Sequence, residues 1–311
     1  MSVRGKNISL FLIDGEPSGR IKCTLANWTG VAYKIPRTEL ERCKDRDDLS
    51  QSGVYFLFGT SEHSGENVVY IGQAGTRKNG EGILYRLQEH KRNPNKDYWT
   101  EAIVFTTSNN SFGQTEISYL EHCFCALANE AKRYIVKNAT DPMPGNLTEE
   151  KECELEEFID YARIIMGALG HKVFEKLTAS VTIRPVLQEQ IESEEVLFYL
   201  ERRDWNGAKS TGKRANDGFV VLAGSNIQSD VADYLSPGYK ALRERYASSI
   251  SGTGILQEDI LFASPSAAAS FVTGRSRNGL TEWKTKDGKS LKEIEQDETN
   301  QIHSVNDSIN C

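Results

Sequence analysis

The 311-residue chain lacks several features that would settle its class at once. No run approaches the roughly 20 consecutive apolar residues of a membrane span. The longest early apolar stretch, Ile8 to Ile13, contains Ser9 and stops at Asp14. That is short of the about 7–15 apolar residues of a signal-peptide core. Only 8 residues are proline, which argues against collagenous or broadly disordered chains. The 6 cysteines (Cys23, Cys43, Cys123, Cys125, Cys153, Cys311) contain no CxxC pair. Cys123 and Cys125 lie two apart on an expected helix, so they point to different faces and do not share a metal from there. With 5 histidines and no HExxH, a zinc site is not expected. Reduced thiols in a soluble cytoplasmic protein with no membrane partner are the simplest reading.

What is present is globular: 38% hydrophobic and 26% charged residues. At about 100–200 residues per domain, the length suggests two domains or three small ones. The net charge of −7 argues against indiscriminate affinity for nucleic acid. The average hides a pattern. Residues 146–201 carry 13 acids and 5 bases, residues 202–292 carry 14 bases and 9 acids, and residues 70–100 carry 6 bases and 3 acids. An acidic middle thus separates two mildly basic regions, a pattern that solvated surface explains as readily as function.

Residues 1–50 read as an extension: a hairpin of Ile8–Ile13 and Ile21–Leu25 around the turn formers Asp14 to Gly19, then a short helix over Arg37–Lys44. Residues 51–140 read as one domain. Gly53–Phe58, Val68–Gly72 and Ala102–Thr107 are β-rich runs, and residues 83–91 form a short helix. From Thr115 to Val136 apolar residues recur at helical spacing (Ile117, Leu120, Phe124, Leu127, Ala128, Ala131, Tyr134, Ile135). Residues 141–195 read as an acidic helical connector whose apolar face is Leu155, Phe158, Ile159, Ala162, Ile165, Met166 and Leu169. Gly170 is the expected C-terminal cap, and 178–195 a linker. Residues 196–293 read as a second globular unit, with strands near Val196–Leu200 and Phe219–Ala223. In it Ser264 and Pro265 open a helix and a hairpin closes around Asp287-Gly288. A polar, disordered tail is expected over 294–311.

Gly53-Val54-Tyr55 and Tyr70-Ile71-Gly72 fall on consecutive expected strands. Arg86 and His90 follow at i and i+4, hence on one helix face. Then come Glu121 inside the long helix and Asn138 after it. In this order the residues resemble the motif of the GIY-YIG nuclease superfamily, over about residues 51–140. Val54 stands where the family name has isoleucine. The interval from Tyr70 to Arg86 is longer than in compact members, with Thr76 to Gly82 as an inserted loop.

The residue types suit phosphodiester cleavage, which needs an activated water, a charge clamp on the transition state and help for the leaving oxygen. Tyrosine, with a reference pKa of about 10, is a poor base unless cations favour its anion. Arginine offers a planar fork to phosphate oxygens, and Glu121 is a hard oxygen ligand for Mg²⁺ or Mn²⁺. The resemblance implies these roles: Tyr70 as general base or activator of water, Tyr55 hydrogen-bonding in support, and Arg86 stabilising the transition-state charge. It further implies His90 in proton handling or phosphate contact, Glu121 on one divalent ion, and Asn138 fixing a loop behind the site. Singly, each has a plain structural reading: sheet tyrosines, a polar helix face, a solvated acid, a helix cap. Glu116 flanks the same stripe as a rival ligand, and Arg77 competes for the arginine role. Arg77 and Lys78 of the inserted loop could touch a phosphate backbone.

Phe219 to Ser225, Ser264 to Ala269, Asn278-Gly279 and Trp283-Lys284 resemble a small domain of unknown function found after such nuclease domains. They also look like RAMA-type domains associated with restriction and DNA modification. Leu280 stands where an aromatic is usual, Trp283 suits the core better than base stacking, and Arg275, Arg277 and Lys284 suit phosphate contacts.

The expected chain is α+β: a small three-stranded antiparallel sheet flanked by helices, a helical connector and a second small α+β domain. The resemblance implies a metal-dependent endonuclease acting on DNA, its C-terminal domain positioning or recognising the substrate. A catalytically inactive nucleic-acid-binding module, or a protein-interaction adaptor built on the acidic helix 150–170, are the other readings.

Overall fold

Gly53–Thr60 is buried on both faces over its first six residues, the pattern of a strand at the centre of a covered sheet. The computed structural model describes residues 5–61, 65–76, 81–138, 142–176, 196–202, 205, 208–215, 217–298 and 300. The chain divides into two units, Met1–Lys176 and Leu177–Cys311.

In the first unit the strands are β1 (Ile8–Leu12), β2 (Ile21–Leu25), β3 (Gly30–Pro36), β4 (Gly53–Thr60), β5 (Asn67–Ala74), β6 (Trp99–Thr107) and β7 (Ile135–Val136). Among the described residues they form one seven-stranded sheet in the order β1-β2-β3-β6-β4-β5-β7. The expected three strands lie within it as the antiparallel run β6-β4-β5. The sheet grows beyond three because β3 pairs with β6 along its whole length and brings the β1–β2 hairpin with it. That hairpin turn is closed by Arg20, whose guanidinium binds both carboxylate oxygens of Asp14 at 2.8 and 3.0 Å.

Two helical layers cover the sheet. One face buries Val54, Phe56, Ile71, Ile103 and Phe105 against Ile117, Leu120 and Phe124 of α2 (Gln114–Ala131) and Phe158, Ala162 and Ile165 of α3 (Glu149–Ala168). The other buries Tyr55, Leu57 and Val104 against Ile83 and Leu87 of α1 (Ile83–Arg92) and against Leu40 and Leu49 of two 3₁₀ turns, Arg37–Cys43 and Asp47–Ser50. Residues 1–50, 51–138 and the helical part of 141–195 thus share one unit.

The long helix is shorter than its apolar spacing suggests. It stops at Lys132, which is left-handed with φ of 54°. Ile135 and Val136 then run parallel to Val68 and Val69 of β5. The same apolar residues serve a strand because the helix has ended. α3 ends as expected: Gly170 takes a positive φ of 96°, and the His171 amide bonds back to Met166.

The second unit holds an antiparallel sheet in the order β11-β10-β9-β8, built from β8 (Phe198–Glu201), β9 (Lys209–Ala215), β10 (Gly218–Val221) and β11 (Ile260–Phe262). Its helices include α4 (Pro237–Arg245), α5 (Pro265–Thr273) and α6 (Gly279–Glu282). Ser264 caps α5 by accepting from the Ala267 amide at 3.1 Å. Trp283 is fully buried, tilted against Phe219 with centroids 4.7 Å apart, and donates from Nε1 to the Pro265 carbonyl. It is a core residue. Part of the expected tail is helical, and residues 299 and 301–311 lie outside the described residues. Residues 291–298 are helical, because Leu291 is buried, Ile294 packs on the core, and Glu298 takes both amino groups of Arg214 at 2.6 and 2.8 Å. The linker expected over 178–195 lies outside the described residues, as do Arg77 and Lys78.

Candidate active site

Tyr55 points from β4 toward α1, directly across from Gly72 of β5 in the strand register. Gly72 is needed there: a Cβ at that position would stand 2.4 Å from the Tyr55 hydroxyl and 2.5 Å from its Cζ. The ring of Tyr55 therefore lies over the glycine, and its hydroxyl meets Nε2 of His90 at 2.7 Å. Tyr55 and His90 are both almost fully buried. Tyr70, two residues before Gly72 and on the same face, is half-buried. Its ring centroid lies 6.3 Å from that of Tyr55 and 5.3 Å from that of His90.

Arg86 sits one helical turn before His90. Its guanidinium binds Glu89 at 2.6 Å and also favours the ionised form of Tyr55. Glu89, by hydrogen bond, holds Arg86 firmly protonated. Glu121 comes from α2, on the opposite face of the sheet, and reaches the edge of β5, where Gln73 Nε2 donates to its Oε2 at 2.8 Å. Gln73 is steadied in turn by Gln114 and Ser118 of α2, both donating to its Oε1. The edge is reachable because β7 pairs only with Val68 and Val69.

Asn138 closes the next position. Its Nδ2 donates to the Ile71 carbonyl at 2.8 Å and its Oδ1 accepts from the Ile71 amide at 3.1 Å. Four of the sequence-selected side chains, Tyr55, Tyr70, Arg86 and His90, thus lie together on the α1 face of the sheet, while Glu121 stands at the edge of β5 from the α2 face, near enough for its charge to act on the Tyr70 phenol. Asn138 fixes the strand beneath them. Glu116 does not join them: it faces α3, where its charge acts on Lys151.

The electrostatics separate the roles. Burial raises the Tyr70 phenol, the Glu121 charge raises it further, and Arg86 opposes both. Tyr70 is therefore protonated at neutral pH in the protein alone, so the tyrosinate that cations were expected to favour is not the resting form. Burial also raises the Glu121 carboxyl, against Gln73 and Arg86. His90 is pushed down to about 3 by burial first, then by Lys96 and Arg86. It is neutral at physiological pH, bound to Tyr55, and suited to holding that hydroxyl rather than delivering a proton.

A stability prediction follows for His90. Its folded pKa lies below the unfolded value of 6.5, so between those values the unfolded chain binds the extra proton. Stability is full above pH 6.5 and falls as pH drops toward 3, by roughly 3 kcal/mol at pH 4.5. Urea melts at pH 7.5 and 4.5 should show this loss, and a His90→Gln chain should lose less between the two.

Sequence reading missed Lys96. It lies in a 3₁₀ turn, Pro94–Lys96, capped by the Asn93 side chain on the Asn95 amide. Its Nζ stands 3.2 Å from the centroid of the Tyr70 ring. A lone lysine in a polar turn gives no signal in sequence. Its importance comes from β5 passing beside the turn.

A divalent cation fits Glu121 in one way only. Among the described residues no three His, Cys, Asp or Glu side chains come together, so the protein would offer a single carboxylate. Mg²⁺ is commonly held by one or two carboxylates, with waters and substrate phosphate oxygens completing its shell. The half-buried, raised carboxyl of Glu121 is a group whose charge such an ion would stabilise.

In the second unit Arg275 pairs with Asp230 at 3.0 Å and Arg277 with Glu282 at 3.5 Å. Both guanidiniums are engaged within the domain. Lys284 is exposed and lines a groove with Tyr199, Lys209 and Lys286.

The chain is thus a mixed α+β protein with a large sheet, a second four-stranded sheet and a polar cluster at one strand edge. Residues 198–295, within the second unit, match the family model of a domain of unknown function, DUF4357. No curated protein and no solved structure matches the chain. Among the described residues no helix is long and apolar enough to cross a membrane.

Proposed function

We propose that the first unit is a nuclease of the GIY-YIG type, hydrolysing phosphodiester bonds in DNA with one divalent ion, Mg²⁺ or Mn²⁺. The observation that supports this reading best is the cluster of Tyr55, Tyr70, Arg86 and His90 on one face of β4 and β5, with Glu121 at the edge of β5 close enough for its charge to act on Tyr70. Arg86 would clamp the charge that develops on the phosphate. Tyr70 would stand beside the attacking water, with Tyr55 and His90 fixing its place. When bound on Glu121, the ion would supply charge at the leaving oxygen. The second unit would position or recognise the DNA.

The test is nicking of supercoiled plasmid, with and without base modification, in Mg²⁺, Mn²⁺ or EDTA. Metal-dependent nicking that is lost in Tyr70→Phe, Arg86→Ala and Glu121→Ala chains is the expected result. Salt-sensitive DNA binding with no nicking under any metal would mark a non-catalytic module instead.

A further inference from the structure

The half-buried ammonium of Lys96 is the part of this cluster that the motif residues do not explain. It has no hydrogen bond or ion pair to a carboxylate among the described residues, yet its position is set from behind. The Arg37 guanidinium, stacked on Trp99, donates to the carbonyls of Lys91, Lys96, Asp97 and Trp99. That holds the turn against the end of α1 and leaves the lysine side chain over Tyr70.

The charged and titratable groups around it are Arg86, Glu89 and His90 on α1, Tyr70 on β5, Tyr55 on β4, and Asp97 and Tyr98 on its own segment. Glu89 is taken by Arg86, and Asp97 by Arg37 at 2.9 Å. Two cations, Lys96 and Arg86, therefore stand close enough for their charges to act on one another, with Lys96 over the Tyr70 ring. Burial and the Arg86 charge lower Lys96 to about 8. Like charges held together in poor solvent are stabilised by an anion between them. An ammonium over a ring face still keeps at least one N–H turned away from the ring, where an oxygen can accept it.

We propose that Lys96 is a substrate-binding residue of the same site, pairing with Arg86 to hold the non-bridging oxygens of a DNA phosphate against the Tyr70 phenol. This rests on the nuclease reading above and names its phosphate-binding partner. The charged ammonium is the active form, so the free protein loses this contact as pH rises through about 8.

The experiment uses the full chain and two substitutions, Lys96→Met and Lys96→Arg, with two readouts. The first is plasmid nicking in Mn²⁺ between pH 6.5 and 9.5. Lys96→Met should lower kcat/KM by about 10- to 100-fold, and Lys96→Arg should restore it to within a few-fold. The wild-type profile should bend down above about pH 8 relative to Lys96→Arg, whose guanidinium stays charged. The second is anisotropy of a fluorescein-labelled DNA duplex in EDTA, titrated with salt at pH 7. Removing one phosphate contact should reduce the slope of log K against log salt by about 1.

A Lys96→Met chain within twofold of wild type in both readouts overturns the proposal. So does a Lys96→Arg chain as impaired as Lys96→Met, which would mean that Lys96 only packs on the ring. If wild-type protein nicks nothing in any metal, the catalytic reading fails. The salt slope then decides Lys96 alone: reduced, it binds phosphate; unchanged, it does not.

Discussion

An Arg86→Ala chain is expected to bind DNA weakly and to nick it at least about 100-fold more slowly than wild type, with its melting temperature almost unchanged. The two halves of that result come from different physics. The guanidinium is partly exposed and forms an ion pair with Glu89, three residues on in the same helix. Such a pair contributes about 0.2–1 kcal/mol, so the fold hardly notices its loss. At a phosphate the same fork sits where charge accumulates, in partly desolvated surroundings. Removing one such donor costs about 10²–10³ in rate, and an arginine on a transferring phosphoryl group up to about 10⁵. Lysine at 86 would return the charge without the planar fork and should recover only part of the rate. Equal loss of rate and of melting temperature would place Arg86 in the scaffold instead.

The second large effect is expected at a residue with no side chain. A Gly72→Ala chain should lose nicking as completely as a motif substitution, and should also be destabilised by about 1–3 kcal/mol, the range for overpacking. The added methyl would overlap the Tyr55 hydroxyl and ring, and that ring is enclosed and bound to His90. Either the strands part or Tyr55 leaves His90, and both disturb Tyr70 alongside. Gly238, in the first turn of α4, is the matched control: a Cβ there meets nothing within 4 Å. Gly238→Ala should be neutral or slightly stabilising. Urea melts of both chains, with the nicking assay beside them, check the pair. A Gly72→Ala chain as stable and active as wild type would contradict the close packing of Tyr55 on this strand.

The central part of the first unit is readable in sequence because its strands announce themselves chemically. Gly53–Phe58 and Val68–Gly72 are nearly continuous β-branched and aromatic runs, as strands covered on both faces must be. The missed elements are held by other means. β9, Lys-Ser-Thr-Gly-Lys-Arg-Ala, shows almost no apolar side chains and is a strand because its backbone is paired on both sides by β8 and β10. β3 is Gly-Val-Ala-Tyr-Lys-Ile-Pro, and its place between β2 and β6 is a long-range pairing that no local pattern encodes. Ile135 and Val136 kept helical spacing past the point where Lys132 turned the chain. At the site, tyrosine, arginine and glutamate types at motif spacing were legible. The geometry that gives Lys96 its position, a turn pinned by Arg37 from 59 residues earlier, was not.

Asn138 has a consequence for how this molecule behaves toward its own copies. A carboxamide has the same donor and acceptor as a peptide group, and here it satisfies both main-chain valences of Ile71. The sheet border beside the tyrosines is thereby plugged by a surrogate residue where the neighbouring chain leaves off. An extended segment from another molecule would have to displace it before it could zip onto that stretch. Aspartate at 138 keeps the acceptor and loses the donor, which would leave that border half unlatched and open to self-association.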